Sequence, residues 1–209
     1  MTTEAVCFDF NGTLSLDEEL IYEVLAELFA ERGRPLPRAT YFEQFVGLAD
    51  DEIAIRWLSV GDDEARAIAR ELSELARGLP LEDRIPKAAA DAVRAAAARV
   101  PVAIVTTSMR ADVESVLAHA GLDRFVAATV GGDDVRRSKP DPEPYRRALE
   151  ILGVADALAF EDTLAGIASA KGAGLRCCAI ASTVPRERLS EADVVADALT
   201  RELVESLLS

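Results

Sequence analysis

The sequence predicts an α/β chain with a doubly wound, parallel-sheet (Rossmann-like) core and an inserted α-helical cap domain, and two observations carry that prediction. Short apolar runs recur at residues 5–10, 100–106, 125–130, 157–160 and 177–181, most of them followed by a stretch of helical character. Strands separated by helices are the signature of a parallel sheet, because parallel neighbours need a crossover connection. The second observation is an interruption: residues 15–83, between the first run and the second, contain no convincing strand and several helical patterns.

The first run ends in Phe8-Asp9-Phe10-Asn11-Gly12-Thr13-Leu14, which places a carboxylate at the carboxyl edge of a strand just before a glycine turn. In open α/β sheets that edge is where ligands bind. In the insert, Leu20, Ile21, Val24, Leu25, Leu28 and Phe29 make one apolar helix face, ended near Gly33 and Pro35. Ile53, Ile55, Trp57 and Leu58 suggest a second helix and residues 62–77 a third, with Gly61 and Gly78 as punctuation. The expected division is an α/β core of residues 1–14 and 84–209 with a cap of residues 15–83. Beyond it, residues 87–99 are Ala-rich, 111–120 are amphipathic, and 142–152 begin with prolines suited to a helix start.

At 209 residues, half of them hydrophobic, the chain is long enough for one substantial core and a smaller satellite. Its net charge of -14 and pI near 4.5 repel a polyanion, and no basic stripe interleaved with aromatics appears, so nucleic acid is excluded as a partner. An acidic protein that handles phosphate must gather positive charge locally, from a metal ion, a lysine and helix N-termini. No segment approaches the ~20 apolar residues of a membrane span, and the opening lacks a targeting pattern, so a cytoplasmic protein without membrane contact is expected. Cys7, Cys177 and Cys178 lie inside apolar runs, as buried reduced thiols do. There is no repeat or coiled coil, and nothing sets an oligomeric state.

Asp9-Phe10-Asn11-Gly12-Thr13-Leu14 resembles the first motif, D-x-D-G-T-L, of the haloacid dehalogenase-like superfamily, in its phosphatase and phosphoglucomutase-like subgroup with a helical cap. Three further pieces follow in the family's order. Residues 102–108 resemble the second motif, a strand closed by a hydroxyl residue, here Thr106, that would hydrogen-bond the transferring phosphoryl group. Ser138-Lys139-Pro140 resembles the third, whose lysine neutralises phosphate and nucleophile. Phe160-Glu161-Asp162-Thr163 resembles the acidic fourth, which holds magnesium. Each motif is weak alone; their joint order is specific.

The resemblance implies a magnesium-dependent phosphatase acting on a small phosphorylated metabolite through a phospho-Asp9 intermediate. Attack by a carboxylate on phosphorus needs a metal to screen two sets of negative charge, and magnesium prefers hard oxygen ligands. Asp9, Asp162 and the main-chain carbonyl of Asn11 would supply them, with Glu161 acting through water. Lys139 would hold the two anions together, and amides around Phe10, Asn11 and Thr107, with Ser108 beside them, would cradle phosphate oxygens. Each assignment has a structural alternative: Asp9 as a turn former, Thr106 as a helix cap, Lys139 as a solvated loop lysine, Glu161 and Asp162 as helix N-terminal charges.

Asn11 departs from the pattern. The family's carboxylate at that position protonates the leaving alkoxide and later deprotonates water, and an amide does neither. Losing a positioned general acid/base costs ~10² to 10⁴ in rate. Leaving groups that depart without a proton, such as acyl or aryl phosphates, should suffer least. Three accounts stand side by side: a slow or specialised phosphatase, a protein that binds a phosphometabolite without turnover, and a deliberate substitution. Deamidation at Asn11-Gly12 is a fourth, which peptide mass mapping of active protein tests.

Neighbouring chemistries fit less well. Metal-free dehalogenases lack the acidic fourth motif. Phosphonoacetaldehyde hydrolases need a cap lysine, and the lysines here are 87, 139 and 171. Beta-phosphoglucomutases carry a basic residue in a cap loop resembling residues 46–50, where this chain has Asp50; a sugar phosphomutase is therefore the weaker alternative. The acidic segments 15–22 and 47–51 should border the pocket and suit a small phosphate with a neutral or cationic end. Arg56, Arg77 and Arg110 are candidates for a second anionic group, although helix arginines are usually solvated. His119 lies away from the motifs, and Trp57 is expected to pack the cap.

Overall fold

A computed structural model describes residues 3–209 and turns the apolar runs into one six-stranded parallel sheet. The strands are β1 (Val6–Phe8), β2 (Val102–Val105), β3 (Ala128–Val130), β4 (Leu158–Glu161), β5 (Arg176–Ile180) and β6 (Val194–Ala196), in spatial order β3-β2-β1-β4-β5-β6. β1 lies between β2 and β4, with Phe8 level with Ile104 on one side and Phe160 on the other. The strand order reverses beside β1, and the residue that follows it, Asp9, therefore stands at the crevice where such sheets take ligands.

Helices α5 (Lys87–Ala97), α6 (Arg110–His119) and α9 (Arg201–Leu207) cover one face of the sheet, while α7 (Glu143–Leu152) and α8 (Leu164–Gly172) cover the other. The alternation in β1 follows: Val6 and Phe8 join the first layer of core, Ala5 and Cys7 the second. Both faces being covered explains why the strands read as unbroken apolar runs. The three cysteines are free and buried in these layers, as expected.

Between β1 and β2 the chain forms α1 (Glu18–Glu31), α2 (Arg38–Thr40) running into a π-helical turn at Tyr41–Phe45, α3 (Asp50–Leu58) and α4 (Asp62–Ala76). These helices enclose an apolar cluster of their own, with Leu25, Phe29, Phe45, Ile53, Ile68 and Leu72 at its centre. Trp57 packs edge-on against Phe45 and donates its indole N–H to the Arg34 carbonyl, so it holds the insert together. Leu20, which the periodicity assigns to the apolar face of α1, is instead exposed, because that helix meets the cluster through Tyr22, Val24, Leu25, Leu28 and Phe29. The two linkers to the sheet are tied by the Leu16 amide donating to the Arg84 carbonyl at 3.0 Å.

Four parts of the chain differ from expectation. Residues 123–125 form a 3₁₀ turn, and the strand expected from Phe125 starts only at Ala128. β6 and α9 have no counterpart in the sequence pattern: a three-residue, half-buried edge strand and a seven-residue helix are too short for periodicity to register. The segment 38–45 gives no signal either, because one α-turn followed by a π-turn has no 3.6-residue repeat. Among the described residues no helix is long and apolar enough to cross a membrane.

Candidate active site

After β1 the chain folds into a tight loop in which the Phe10 carbonyl accepts from the amides of Thr13, Leu14 and Ser15. Gly12, at φ +79°, occupies the left-handed region. A Cβ there would lie 1.9 Å from Asp162 Oδ2, so glycine is what lets the β1 loop approach the end of β4. Asp9 remains in register with β4, its amide donating to the Phe160 carbonyl at 2.9 Å. The first and fourth motifs are thereby brought face to face.

Lys139 enters this junction from the loop before α7 and is almost completely buried. Its ammonium donates to Asp9 Oδ1 at 2.6 Å, Glu161 Oε1 at 2.6 Å and the Val105 carbonyl at 2.8 Å. All three of its protons are therefore committed, and the two carboxylates hold its pKa above the usual lysine range despite burial. Glu161 is closed off on its other side by the Tyr145 hydroxyl, which donates to Oε1 at 2.6 Å, and by the Asp162 amide on Oε2. Gly166 packs so closely on Glu161 that any side chain there would overlap the carboxylate.

The carboxylates of Asp9, Glu161 and Asp162 each offer an oxygen within 4.8 Å of the others'. Three acids thus face one ammonium in a buried space. Asp9 Oδ2 and Asp162 Oδ2 have no protein hydrogen-bond partner, although buried acceptors are ordinarily satisfied. Burial, reinforced by Asp9 and Glu161, drives Asp162 well above the ordinary carboxylate range, and burial likewise raises Glu161 against the pull of Lys139. A hard divalent cation supplies what this oxygen set lacks, so the residues present fit magnesium.

Asn11 is built in at both ends of its amide. Nδ2 donates to Asp17 Oδ1 at 2.8 Å and Oδ1 accepts from Ser108 Oγ at 2.8 Å. Asp17, buried in the first linker, is in turn paired with Arg84 from the second. Thr106 lies behind this network with its hydroxyl accepting from the Ser108 amide at 3.1 Å, while Thr107, Ser108 and Phe10 line the open cleft.

That cleft has a volume of about 110 Å³ and runs between the sheet edge and the insert. From the insert, Glu18, Tyr41, Leu48 and Asp50 face it, so both acidic segments border it as expected. Gly47, at φ +85°, packs against Thr163, and a Cβ there would come within 2.6 Å of the Thr163 hydroxyl oxygen. Burial pushes Glu18 up to about 7 even though the Tyr41 hydroxyl donates to it, and burial with Asp51 and Asp112 pushes Asp50 to about 7. Of the three arginines considered for a second anion, only Arg77 lines the cleft, where Asp112 of α6 neutralises it. Arg56 pairs with Glu52 on its own helix, and Arg110 pairs with Asp134.

Arg84 and Tyr145 belong to the site without being marked in the sequence, and Asp17 and Glu18 are marked there only as part of the acidic segment 15–22. An acidic linker residue or one tyrosine in a helix carries no local signal, and each gains its meaning from a partner far along the chain.

Residues 3–174 match the family model described as haloacid dehalogenase-like hydrolase. The chain is 33% identical over 198 residues, 92% of each chain, to the validoxylamine A 7'-phosphate phosphatase of Streptomyces hygroscopicus subsp. limoneus. It is 27% identical over 180 residues, 82% of each, to the phosphorylated carbohydrates phosphatase of Thermotoga maritima. The crystal structure of CbbY from Rhodobacter sphaeroides in complex with phosphate superimposes with a TM-score of 0.79 at 29% identity, covering 95% of both chains. The chain belongs to the haloacid dehalogenase-like hydrolases. Within that family its class is the phosphatases, hydrolases of phosphoric monoesters.

Proposed function

We propose that the chain is a magnesium-dependent phosphatase for a small organic phosphate, with Asp9 as the nucleophile and Asn11 in place of the usual acid/base. One observation carries this reading: Lys139 bridges Asp9 and Glu161 while Asp9 Oδ2 and Asp162 Oδ2 are left without a hydrogen-bond partner in the same cluster of carboxylates. Asp9, Asp162 and the Asn11 carbonyl would hold magnesium. When bound, the ion supplies positive charge that lets an anionic carboxylate approach an anionic phosphate.

The protein's own groups do the rest. Lys139 pairs with Asp9 and orients its carboxylate. The Thr107 hydroxyl and the main-chain amides around Phe10 and Asn11 would donate to phosphate oxygens, with Ser108 lining the cleft beside them and its hydroxyl engaged by Asn11. The insert acts as a cap that shields the cleft and meets the leaving group, with residues 15–83 as that cap and the remainder as core. Relatives named for validoxylamine A 7'-phosphate and for phosphorylated carbohydrates support a sugar-like leaving group.

The test is hydrolysis of acetyl phosphate and p-nitrophenyl phosphate with and without magnesium. Turnover is expected to require the ion, and Asp9→Asn to lower it by ~10⁴ or more. The other reading, a phosphometabolite-binding protein without turnover, draws on the amide at position 11 and would be established if Asp9→Asn left the rate at the background of the unsubstituted chain.

A further inference from the structure

Neither polar atom of the Asn11 side chain titrates, and both are occupied, one by Ser108 and the other by Asp17. An alkoxide leaving group nevertheless requires a proton. Among the described residues that line the cleft, the groups able to hold one are few. Lys139 has committed all three protons to Asp9, Glu161 and the Val105 carbonyl. Asp112 is held by Arg77 and Ser73. The Tyr41 hydroxyl donates to Glu18 and is kept protonated by burial and the adjoining carboxylates. Asp50 opens α3 next to Asp51, with Asp112 as its other charged neighbour, and is not adjacent in the chain to a partner of Asn11.

Glu18 is different. It opens α1 one residue beyond Asp17, the hydrogen-bond partner of Asn11, and lines the same cleft as Asp9. The charges of Asp9, Asp17 and Asp50 reach it, and its own charge reaches Asp162. The countercharges nearby are already engaged: Arg84 with Asp17, Lys139 with Asp9 and Glu161. Its only hydrogen-bond partner among the described residues is the Tyr41 hydroxyl. A half-buried carboxyl surrounded by other acids and without a cation of its own favours the protonated form, which is the form a general acid needs.

We infer that Glu18 is the general acid/base of this phosphatase, supplying from the insert the function that Asn11 cannot supply from the core; this rests on the phosphatase reading above. As an Asp9 oxygen bonds to phosphorus and the ester P–O bond breaks, the Glu18 proton passes to the bridging oxygen and the alcohol departs. Water then attacks the phosphorus of phospho-Asp9, its proton goes to the Glu18 carboxylate, and the acyl-phosphate P–O bond breaks. Inorganic phosphate, the Asp9 carboxylate and protonated Glu18 result, so the cycle closes on itself.

The experiment compares the magnesium-loaded protein with its Glu18→Gln variant on p-nitrophenyl phosphate, whose leaving group needs no proton, and on a panel of alkyl and sugar monophosphates. Expected is a ~10² to 10⁴-fold loss of kcat/KM confined to the alkyl esters. An alkaline limb in the alkyl-ester pH profile should vanish in the variant, phospho-Asp9 should accumulate by intact mass, and adding Asn11→Asp should restore alkyl-ester turnover. A retained first-turnover burst of p-nitrophenol, which is released before the water step, shows that the variant is folded. An equal loss on both substrate types would make Glu18 a structural residue and overturn the inference, as would an unchanged alkyl-ester rate. A parent protein active on p-nitrophenyl phosphate but inert on every alkyl ester would overturn it too, while leaving the phosphatase reading intact. Turnover that survives Asp9→Asn would instead remove the phosphatase reading itself.

Discussion

On the sheet side of the cleft, Asp9, Glu161 and Asp162 stand at the ends of adjacent parallel strands, and Lys139 reaches in from a loop, all of them buried. On the insert side, Glu18 and Asp50 each open a helix packed around a separate apolar cluster, and both remain half-buried. Ladder hydrogen bonds set the separations on the first wall, so each charge there must be matched in place by a partner or an ion. The second wall answers to its own core and is joined to the sheet by two linkers and a few polar contacts. Chemistry that must not move belongs on the first wall; groups that select or protonate a leaving group can sit on the second.

The largest effect expected from breaking this contrast is at Lys139. Lys139→Ala leaves Asp9 and Glu161 buried without their shared cation, and a loss of about 3–5 kcal/mol is expected in urea unfolding of the metal-free protein at pH 8. Unchanged stability would mean that the sheet wall is not held by charge. On the other wall, Ile53→Ala should cost about 2–5 kcal/mol, but locally. Hydrogen exchange is expected to show amides of residues 18–76 losing protection while β1, β2 and β4 keep theirs; a uniform loss would show that the two clusters unfold as one.

A smaller effect separates the walls by pH. Asp50 is raised from 3.8 to about 7, chiefly by burial and then by Asp51 and Asp112. The unfolded chain gives up this proton first, so the contribution is full below about pH 4 and is lost as pH rises towards 7. Asp50→Asn should therefore raise Tm at pH 8, leave it unchanged at pH 4, and flatten the slope between; thermal melts across that range decide it. The smallest effect is expected at Arg110, paired with Asp134 and outside the cleft. Arg110→Ala should leave KM for the preferred phosphate as it was, whereas Arg77→Ala should change it.

Much of the sheet wall is legible in the amino-acid sequence. Asp9, Glu161 and Asp162 each end or follow an apolar run, and a strand end followed by a turn is a position the chain writes locally, whereas Lys139 lies in a polar loop and stands out only through the resemblance of Ser138-Lys139-Pro140 to the family's third motif. Gly12 reads as a turn, but its reason, contact with Asp162, does not show there. The insert reads as three helices with its cluster largely in place, although the 38–45 segment and the true boundary of the α1 face leave no periodic trace. Arg56 and Arg110 look equivalent to Arg77 along the chain, because facing a cleft depends on how α3, α4 and α6 dock.

By itself, then, the sequence determined the parallel sheet, the helical insert and the order in which carboxylates and hydroxyls arrive at strand ends. Those features follow from hydrophobic periodicity and turn chemistry, which act over a few residues. Tertiary structure alone decided which atoms meet: Lys139 with Asp9 across 130 positions, Thr13 with Asp162 across 149, Ser108 with Asn11 across 97, Arg84 with Asp17 across 67. It also decided which oxygens are left bare. Contacts of that range depend on how whole layers pack, and no local pattern of residues encodes the separation of two atoms that only packing brings together.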